Sequence, residues 1–292
     1  MRPLVTIIAL SYNHGPYIPE ALASVYHQSY PFIELIIVDD ASIDDSVEKI
    51  NQNIQSVFPT TVITNKTNIG NCQSFNRALI KANGDYIIDF ALDDVLYFNR
   101  VEYQVNQMEQ WGASVGLTFC NVDLISSDGE KIGDHATTVS IQKYLPTSDW
   151  LSLITYRYII NPVGTMMRKE LLKELNGYDI NLRYEDFDLW VRAALVTKIE
   201  YIPTILSAKR IVPESLSLHP ALELDRAYTT LTVCKKLVWL HLQGQYNAKL
   251  VWRLRYEWRN AFKFKTIRKE YEVLLEQTDK WYIVYKYIIR WL

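Results

Sequence analysis

Gly84-Asp-Tyr-Ile-Ile-Asp-Phe-Ala-Leu-Asp-Asp-Val-Leu96 is the stretch on which the reading of this chain turns. A turn-forming glycine opens it, an apolar and aromatic run suited to a buried strand follows, and two adjacent acids, Asp93 and Asp94, close it. Acids at the mouth of a buried parallel strand sit where open α/β sheets take their ligands, beyond the carboxyl ends of the strands. There they suit a hard divalent cation held against phosphate oxygens. The plainer alternative is that Asp94 caps a helix starting near Phe98.

The same grammar recurs on the N-terminal side. Val5-Thr-Ile-Ile-Ala-Leu10 is a β-rich run ending in the polar loop Ser11-Tyr-Asn-His-Gly-Pro16, and a helix with Tyr17, Ala21, Ser24 and Val25 on one face follows. Glu34-Leu-Ile-Ile-Val-Asp-Asp40 is a second continuous apolar strand that closes on two acids. Ala41-Ser-Ile-Asp-Asp45 then starts a helix with capping residues and acids in its first turn. Thr60-Thr-Val-Ile-Thr64 reads as a short strand and 73–82 as a helix. Three βα units in under a hundred residues, with uninterrupted apolar strands, predict a mostly parallel sheet covered by helices on both faces. The first turn holds one glycine and no G-x-G-x-x-G, which argues against dinucleotide binding of the Rossmann kind.

C-terminal to the decisive strand, a helix is expected over 99–111, a strand over 115–123, an irregular insertion over 130–146, a helix over 147–156 and a strand over 162–167. A helix over 168–175, a turn at Asn176-Gly-Tyr-Asp179, a second acidic helix start at Tyr184-Glu-Asp-Phe-Asp-Leu-Trp190 and a strand over 199–206 complete this part.

Composition bounds the rest. With 292 residues, 49% apolar and 22% charged, the chain can bury a full core, and a net charge of −2 argues against a nucleic-acid binder. Charge is uneven: residues 221–292 carry 14 Lys/Arg against 7 Asp/Glu, which marks the tail as a separate unit. Cys72, Cys120 and Cys234 lie far apart, without a zinc or disulfide spacing, which suits a reducing, cytoplasmic setting. No apolar run reaches the ~18 residues of a bilayer span.

Taken together, four pieces in order resemble the inverting, nucleotide-sugar-dependent glycosyltransferases of family 2, which have the GT-A fold. They are Val5-Thr-Ile-Ile-Ala-Leu-Ser-Tyr-Asn13; Ile37-Val-Asp-Asp-Ala-Ser42; Asn68-Ile-Gly70 with Asn76-Arg-Ala78 and the acidic strand end at 84–94; and Asn176-Gly-Tyr-Asp179 with Glu185-Asp-Phe-Asp-Leu-Trp190. The resemblance covers residues 4 to about 218 and implies a GT-A domain over 1–218 with a helical extension over 219–292. It implies a nucleotide site at Leu10, Tyr12, Asp40, Asn68 and Asp93, in which Asp40 accepts from the imide of the base, Tyr12 packs on or near it and Asn68 helps close the pocket. Asp39 reads as a strand-end acid bonded to backbone.

Asp93 and Asp94 match the last two acids of the family's metal motif, so a divalent cation, Mn or Mg, bridging the diphosphate is implied. Two departures bear on it: Ala91 stands where the family commonly has an acid, and Val212 stands where a histidine often follows the last strand, with His219 seven residues further on. Asp186 matches the catalytic base, which takes the acceptor hydroxyl's proton as that hydroxyl attacks the anomeric carbon. Its place at a helix start would favour its charge. Glu185, Asp188 and Trp190 are expected to support the acceptor pocket or core. His14, His27, His135 and His241 show no partner pattern.

The implied reaction moves a sugar from a nucleotide-sugar donor, UDP-linked, to a glycan or lipid-linked acceptor in surface-polysaccharide assembly. A non-catalytic nucleotide-binding module is the alternative that Ala91 and Val212 motivate. The tail holds five of the eight tryptophans (Trp239, Trp252, Trp258, Trp281 and Trp291), interleaved with Lys249, Arg253, Arg255, Arg259 and Lys263. That pattern suits either a helix lying on an anionic membrane at its cytoplasmic face, with bases outward, or a helical cap with a solvated basic side.

Overall fold

The computed structural model of the chain describes residues 2–147, 149–182, 185–212, 222–244, 249–279 and Tyr282, with Glu185 as backbone alone. The chain divides into two compact units, Met1–Leu145 with Ile159–Pro213, and Pro146–Tyr158 with Glu214–Leu292. Residues 146–158, expected within the first domain, therefore group with the helical tail. The expected boundary at 218/219 falls outside the described residues.

The first unit begins with β1 (Val5–Ser11), α1 (Ile18–Tyr26), β2 (Ile33–Asp39), α2 (Ser46–Asn53), β3 (Thr60–Thr64), α3 (Asn71–Leu79) and β4 (Tyr86–Ala91). Strands β3, β2, β1 and β4 lie side by side in that order and run parallel. Every residue of β1 is buried, as both faces of a helix-covered parallel sheet require. Ile7, Leu35, Ile37, Ile88 and Phe90 form its core with Ile18, Leu22 and Val25 of α1. Gly84, before β4, permits a close approach: a Cβ there would come within 2.5 Å of the Thr6 amide nitrogen.

Next come β5 (Val95–Leu96), α4 (Arg100–Trp111), β6 (Val115–Ile125), β7 (Lys131–Asp134) and α5 (His135–Val139). The helical unit supplies α6 (Trp150–Tyr156); the chain then adds β8 (Thr165–Arg168), α7 (Lys169–Glu174), α8 (Glu185–Val196) and β9 (Lys198–Arg210). The sheet continues from β4 through antiparallel β8 to β6, parallel β9 and antiparallel β5, with β7 paired to β6. Helices around a mostly parallel central sheet agree with the fold class read from the sequence.

Three local expectations need correction. Residues 130–146 are not irregular: they form β7, α5 and a 3₁₀ turn at Ile141–Lys143, because Asp134 caps α5 by accepting from the Thr137 amide at 2.9 Å. Pro162–Gly164 is a 3₁₀ turn rather than strand, since Asn161 and Pro162 start it as cap and first residue. Asp94 caps no helix: β5 intervenes, and α4 starts after Asn99.

The second unit contains α6, α9 (Glu223–Leu242), α10 (Leu250–Asn260) and α11 (Lys265–Thr278). The interleaved bases of α10 do not all face outward. Arg253 is buried, pairs with Glu257 at 2.8 Å and lies over the Tyr158 ring, while Arg255 pairs with Asp279 at 2.6 Å and Lys263 with Glu223. Trp258 donates to Glu272, whereas Trp239 and Trp252 are exposed and Trp252 stacks on Tyr256. Trp281 and Trp291 lie outside the described residues. Among the described residues no helix is long and apolar enough to cross a membrane.

Candidate active site

Register decides what meets at the carboxyl edge of the sheet. Leu10 pairs with Val38 on one side and Ala91 on the other, and Ser11 pairs with Asp39. The loops after β1, β2 and β4 therefore leave the sheet together, which brings Tyr12, Asp40, Asp93 and Asp94 to one edge. Hydrogen bonds lace the first two loops: Asn13 donates its amide to Ser42 Oγ and accepts from the Ile43 amide, and the His14 amide donates to Ser46 Oγ. Leu10 contributes through its backbone, its carbonyl accepting from the Leu92 amide at 2.9 Å.

Asp39 does what a strand-end acid does, accepting from the Ser42 amide and hydroxyl at 2.9 and 2.5 Å. Asp40 is buried and accepts three bonds: Oδ1 from Asn65 Nδ2 (2.8 Å) and the Ile69 amide (2.9 Å), and Oδ2 from the Gly70 amide (2.8 Å). A carboxylate offers about four lone-pair sites, so Oδ2 retains capacity for one donor from a ligand. Gly70, at φ 87°, has the left-handed geometry that lets its N–H turn toward Asp40. Asn68 is exposed. The asparagine that touches Asp40 is Asn65, which sequence reasoning missed; Arg77 of α3 holds it by donating to its Oδ1 at 2.5 Å.

At the β4 end the surroundings differ. Asp94 is buried, and its Oδ1 accepts from the Arg210 amide at 2.8 Å. Burial first, and the Asp93 charge second, raise its pKa well above the usual carboxylate range. Arg210 donates through Nε to the Asp93 carbonyl, through Nη1 to the Ser126 and Ser127 carbonyls and through Nη2 to Glu20, and it lies 4.8 Å over the Tyr17 ring. His14, which showed no partner in the sequence, stands with Nε2 3.9 Å from Asp93 Oδ2.

Asp186, in the first turn of α8, lies near enough to Lys209 and Asp89 for charge to act between them. Burial pushes its pKa up to about 6, overriding the helix-start preference, while the Lys209 charge pulls it down. It is thus ionised at neutral pH and able to take a proton. Its charge also reaches Asp89 of β4, whose carboxylate accepts from the Tyr178 hydroxyl at 2.7 Å and is pushed up to about 7, by burial first. Strand alternation puts Asp89 on the face of Ala91, one pleat earlier. The sequence signal was an acid inside an apolar strand.

The pieces 76–78 and 176–179, which carried no chemistry of their own in the sequence, prove to be scaffolding. Asn76 Nδ2 donates to the Tyr178 carbonyl and its Oδ1 accepts from the Tyr178 amide, at 2.8 and 2.9 Å. That clamp aims the Tyr178 ring past Phe75 toward Asp89. Asp188 is buried and holds Arg192 at 2.6 Å, which in turn donates to the Leu175 and Gly177 carbonyls; Trp190 is core. The side chain of Glu185 and His219 lie outside the described residues.

The donor set fits a divalent cation poorly. Ala91 and Val212 offer no oxygen or nitrogen ligand, one Asp94 oxygen is taken, and among the described residues no three His, Cys, Asp or Glu side chains converge as a cation site.

A curled, mostly parallel central sheet with helices around it is the GT-A architecture. The description "Glycosyl transferase family 2" matches residues 6–175, and the chain belongs to that family. It is 39% identical over 185 residues to an uncharacterized glycosyltransferase of Haemophilus influenzae, covering 63% of this chain and 69% of that one. It is 34% identical over 134 residues to TuaG of Bacillus subtilis, whose name assigns it to teichuronic acid biosynthesis, covering 44% of this chain and 50% of that one. Against two Rickettsia glycosyltransferases the chain spans 64% of their length.

Among solved structures it resembles S. aureus TarS in complex with UDP-GlcNAc (TM-score 0.67, 19% identity, 89% of this chain and 73% of that one). It also resembles the mannosyltransferase PcManGT of Pyrobaculum calidifontis in complex with GDP-Man and Mn²⁺ (TM-score 0.63, 17% identity, 96% and 87%). These likenesses bear on the fold.

Proposed function

We propose that the chain is an inverting glycosyltransferase that moves a sugar from a nucleoside-diphosphate sugar, UDP-linked, to a hydroxyl of a glycan or lipid-linked acceptor in bacterial surface-polysaccharide assembly. What supports this reading is that Asp40, Asp93 and Asp94 follow the parallel strands flanking β1 at one sheet edge, and that Asp186 lies near enough to Asp89 of β4 for its charge to reach it. Asp40, through the remaining capacity of Oδ2, receives the imide N–H of the base, and Tyr12 lies beside it. The diphosphate lies toward Asp93. Asp186 accepts the proton of the acceptor hydroxyl while its oxygen bonds to the anomeric carbon. The bond from that carbon to the diphosphate breaks, and its electron pair leaves with the nucleoside diphosphate. TuaG's name and the UDP-GlcNAc complex of TarS support the pathway and the donor class.

Asp186→Asn tests this, because it keeps size and removes the base. Release of UDP from a panel of UDP-sugars with glycan acceptors should fall by about 10²- to 10⁴-fold while UDP binding stays as in the wild type. Transfer at the wild-type rate would remove Asp186 as the base.

A further inference from the structure

The site carries its own cation in a place where the sequence pattern suggested none. Lys209 occupies the penultimate position of β9, opposite Leu124 of β6. Its neighbour Arg210 binds Asp94 through the backbone N–H, so Lys209 is fixed beside the acid pair by the same strand. Alternation sends the two side chains to opposite faces. Four of the five N–H groups of the Arg210 guanidinium are engaged, with Glu20 and the carbonyls of Asp93, Ser126 and Ser127.

Lys209 is half-buried and has no hydrogen-bond or ion-pair partner among the described residues. It is nevertheless close enough to Asp94, Asp186 and His135 for its charge to bear on all three. One ammonium thus acts on both the strand-end acid Asp94 and the helix-opening acid Asp186. It would repel a divalent cation from Asp93 and Asp94, which already lack the companions that Ala91 and Val212 replace.

Resting on the donor site proposed above, we infer that the Lys209 ammonium, rather than a divalent cation, supplies the positive charge that binds the donor's diphosphate and stabilises it as it leaves. Lysine is suited to this as a compact, three-donor point charge on a flexible stem. No bond to Lys209 forms or breaks: its charge meets the electron pair that the departing diphosphate carries away.

The test uses the full chain stripped with EDTA, titrated calorimetrically with UDP, GDP, CDP and dTDP, then repeated with Mg²⁺ and with Mn²⁺. Expected is a nucleoside diphosphate that binds the wild type with an affinity changed less than threefold by either metal. Lys209→Met, which keeps length and loses charge, should weaken that nucleotide at least tenfold, and Lys209→Arg should restore most of the loss. The melting temperature of each unliganded variant reports folding, and the corresponding nucleoside without phosphates should bind wild type and Lys209→Met alike. Binding that appears only with metal, or that Lys209→Met leaves unchanged, overturns the role of Lys209 while keeping the donor site. Absence of binding by every nucleoside diphosphate, with or without metal, overturns the donor site and the inference together.

Discussion

An Asp-Asp pair stands at the end of β2 and another two residues beyond β4, and the two pairs are bonded in different ways. Asp39–Asp40 at the end of β2 is closed by donors of the chain itself: Ser42 takes Asp39, and Asn65, Ile69 and Gly70 take Asp40. Asp93–Asp94 at the end of β4 receives one backbone donor at Asp94, has His14 beside Asp93 and lies within reach of the Lys209 charge. The first pair is held by a hydrogen-bond network of the chain that leaves room for one further donor at Asp40 Oδ2. The second has fewer bonds from the chain, and its buried member, Asp94, is pushed toward the neutral form. The local sequence is the same; neighbours brought from far along the chain decide the role.

The comparison breaks most visibly at Asp40. Asp40→Ala leaves the Ile69 and Gly70 amides without their acceptor and Asn65 Nδ2 with Ser74 Oγ alone, so it should cost roughly 3 kcal/mol of stability and abolish nucleotide binding, as read by urea denaturation and calorimetry. A variant as stable as the wild type would mean that the loop 65–70 holds itself.

The acid side of the comparison is sharpened by pH. Asp186 must be ionised to accept a proton, and its pKa lies at about 6. The pH profile of kcat/KM should therefore fall about tenfold per pH unit below that value and level off above it. A flat profile from pH 5 to 8 would disconnect Asp186 from the rate.

Asp89 makes a smaller, thermodynamic contribution. Its folded pKa, about 7, is raised above the ordinary value, so the protonated form is the one that favours the fold. Its stabilising contribution is complete below about pH 4 and is lost as pH rises through about 7. Asp89→Asn, still able to accept from Tyr178, should flatten the decline of melting temperature over that window. An unaltered slope would exclude Asp89 as its source.

Asp94→Asn is the smallest expected change and the direct counterpart of Asp40→Ala. The amide oxygen still accepts from the Arg210 N–H, and a buried carboxyl whose pKa is raised is replaced by a neutral group. Stability should move by less than about 1 kcal/mol in urea denaturation. A loss as large as that of Asp40→Ala would erase the distinction between the two strand ends.

The half of the molecule built from consecutive βα units was legible in the sequence because each strand is a continuous apolar run and each following loop announces itself with polar residues. Asp39, Asp40, Asp93, Asp94 and Asp186 were legible for the same reason, as acids at element ends. What escaped depends on pairings remote in sequence. Asn65 reaches Asp40 only because the loop after β3 folds back over it, and Asn76 finds Tyr178 across a separation of 102 residues. Lys209 gains meaning only when β9 is laid beside β6 and its neighbour's amide meets Asp94. The segment 130–146 escaped because its short strand and helix are fixed by one cap and by pairing with β6 rather than by periodicity.

The most direct test of the account is a thermal-shift panel on the wild-type chain, comparing UDP, GDP, CDP, dTDP, the corresponding nucleosides and inorganic pyrophosphate. A site with a base-reading Asp40 beside a phosphate-binding strand end predicts one nucleoside diphosphate, UDP, that raises the melting temperature by more than pyrophosphate or any nucleoside does. At a hundred times its dissociation constant the gain is about 2.7 kcal/mol, a rise of several degrees. If no nucleotide shifts the transition, or if pyrophosphate alone matches the largest shift, Asp40 at the end of β2 reads no base and the donor site is wrongly drawn.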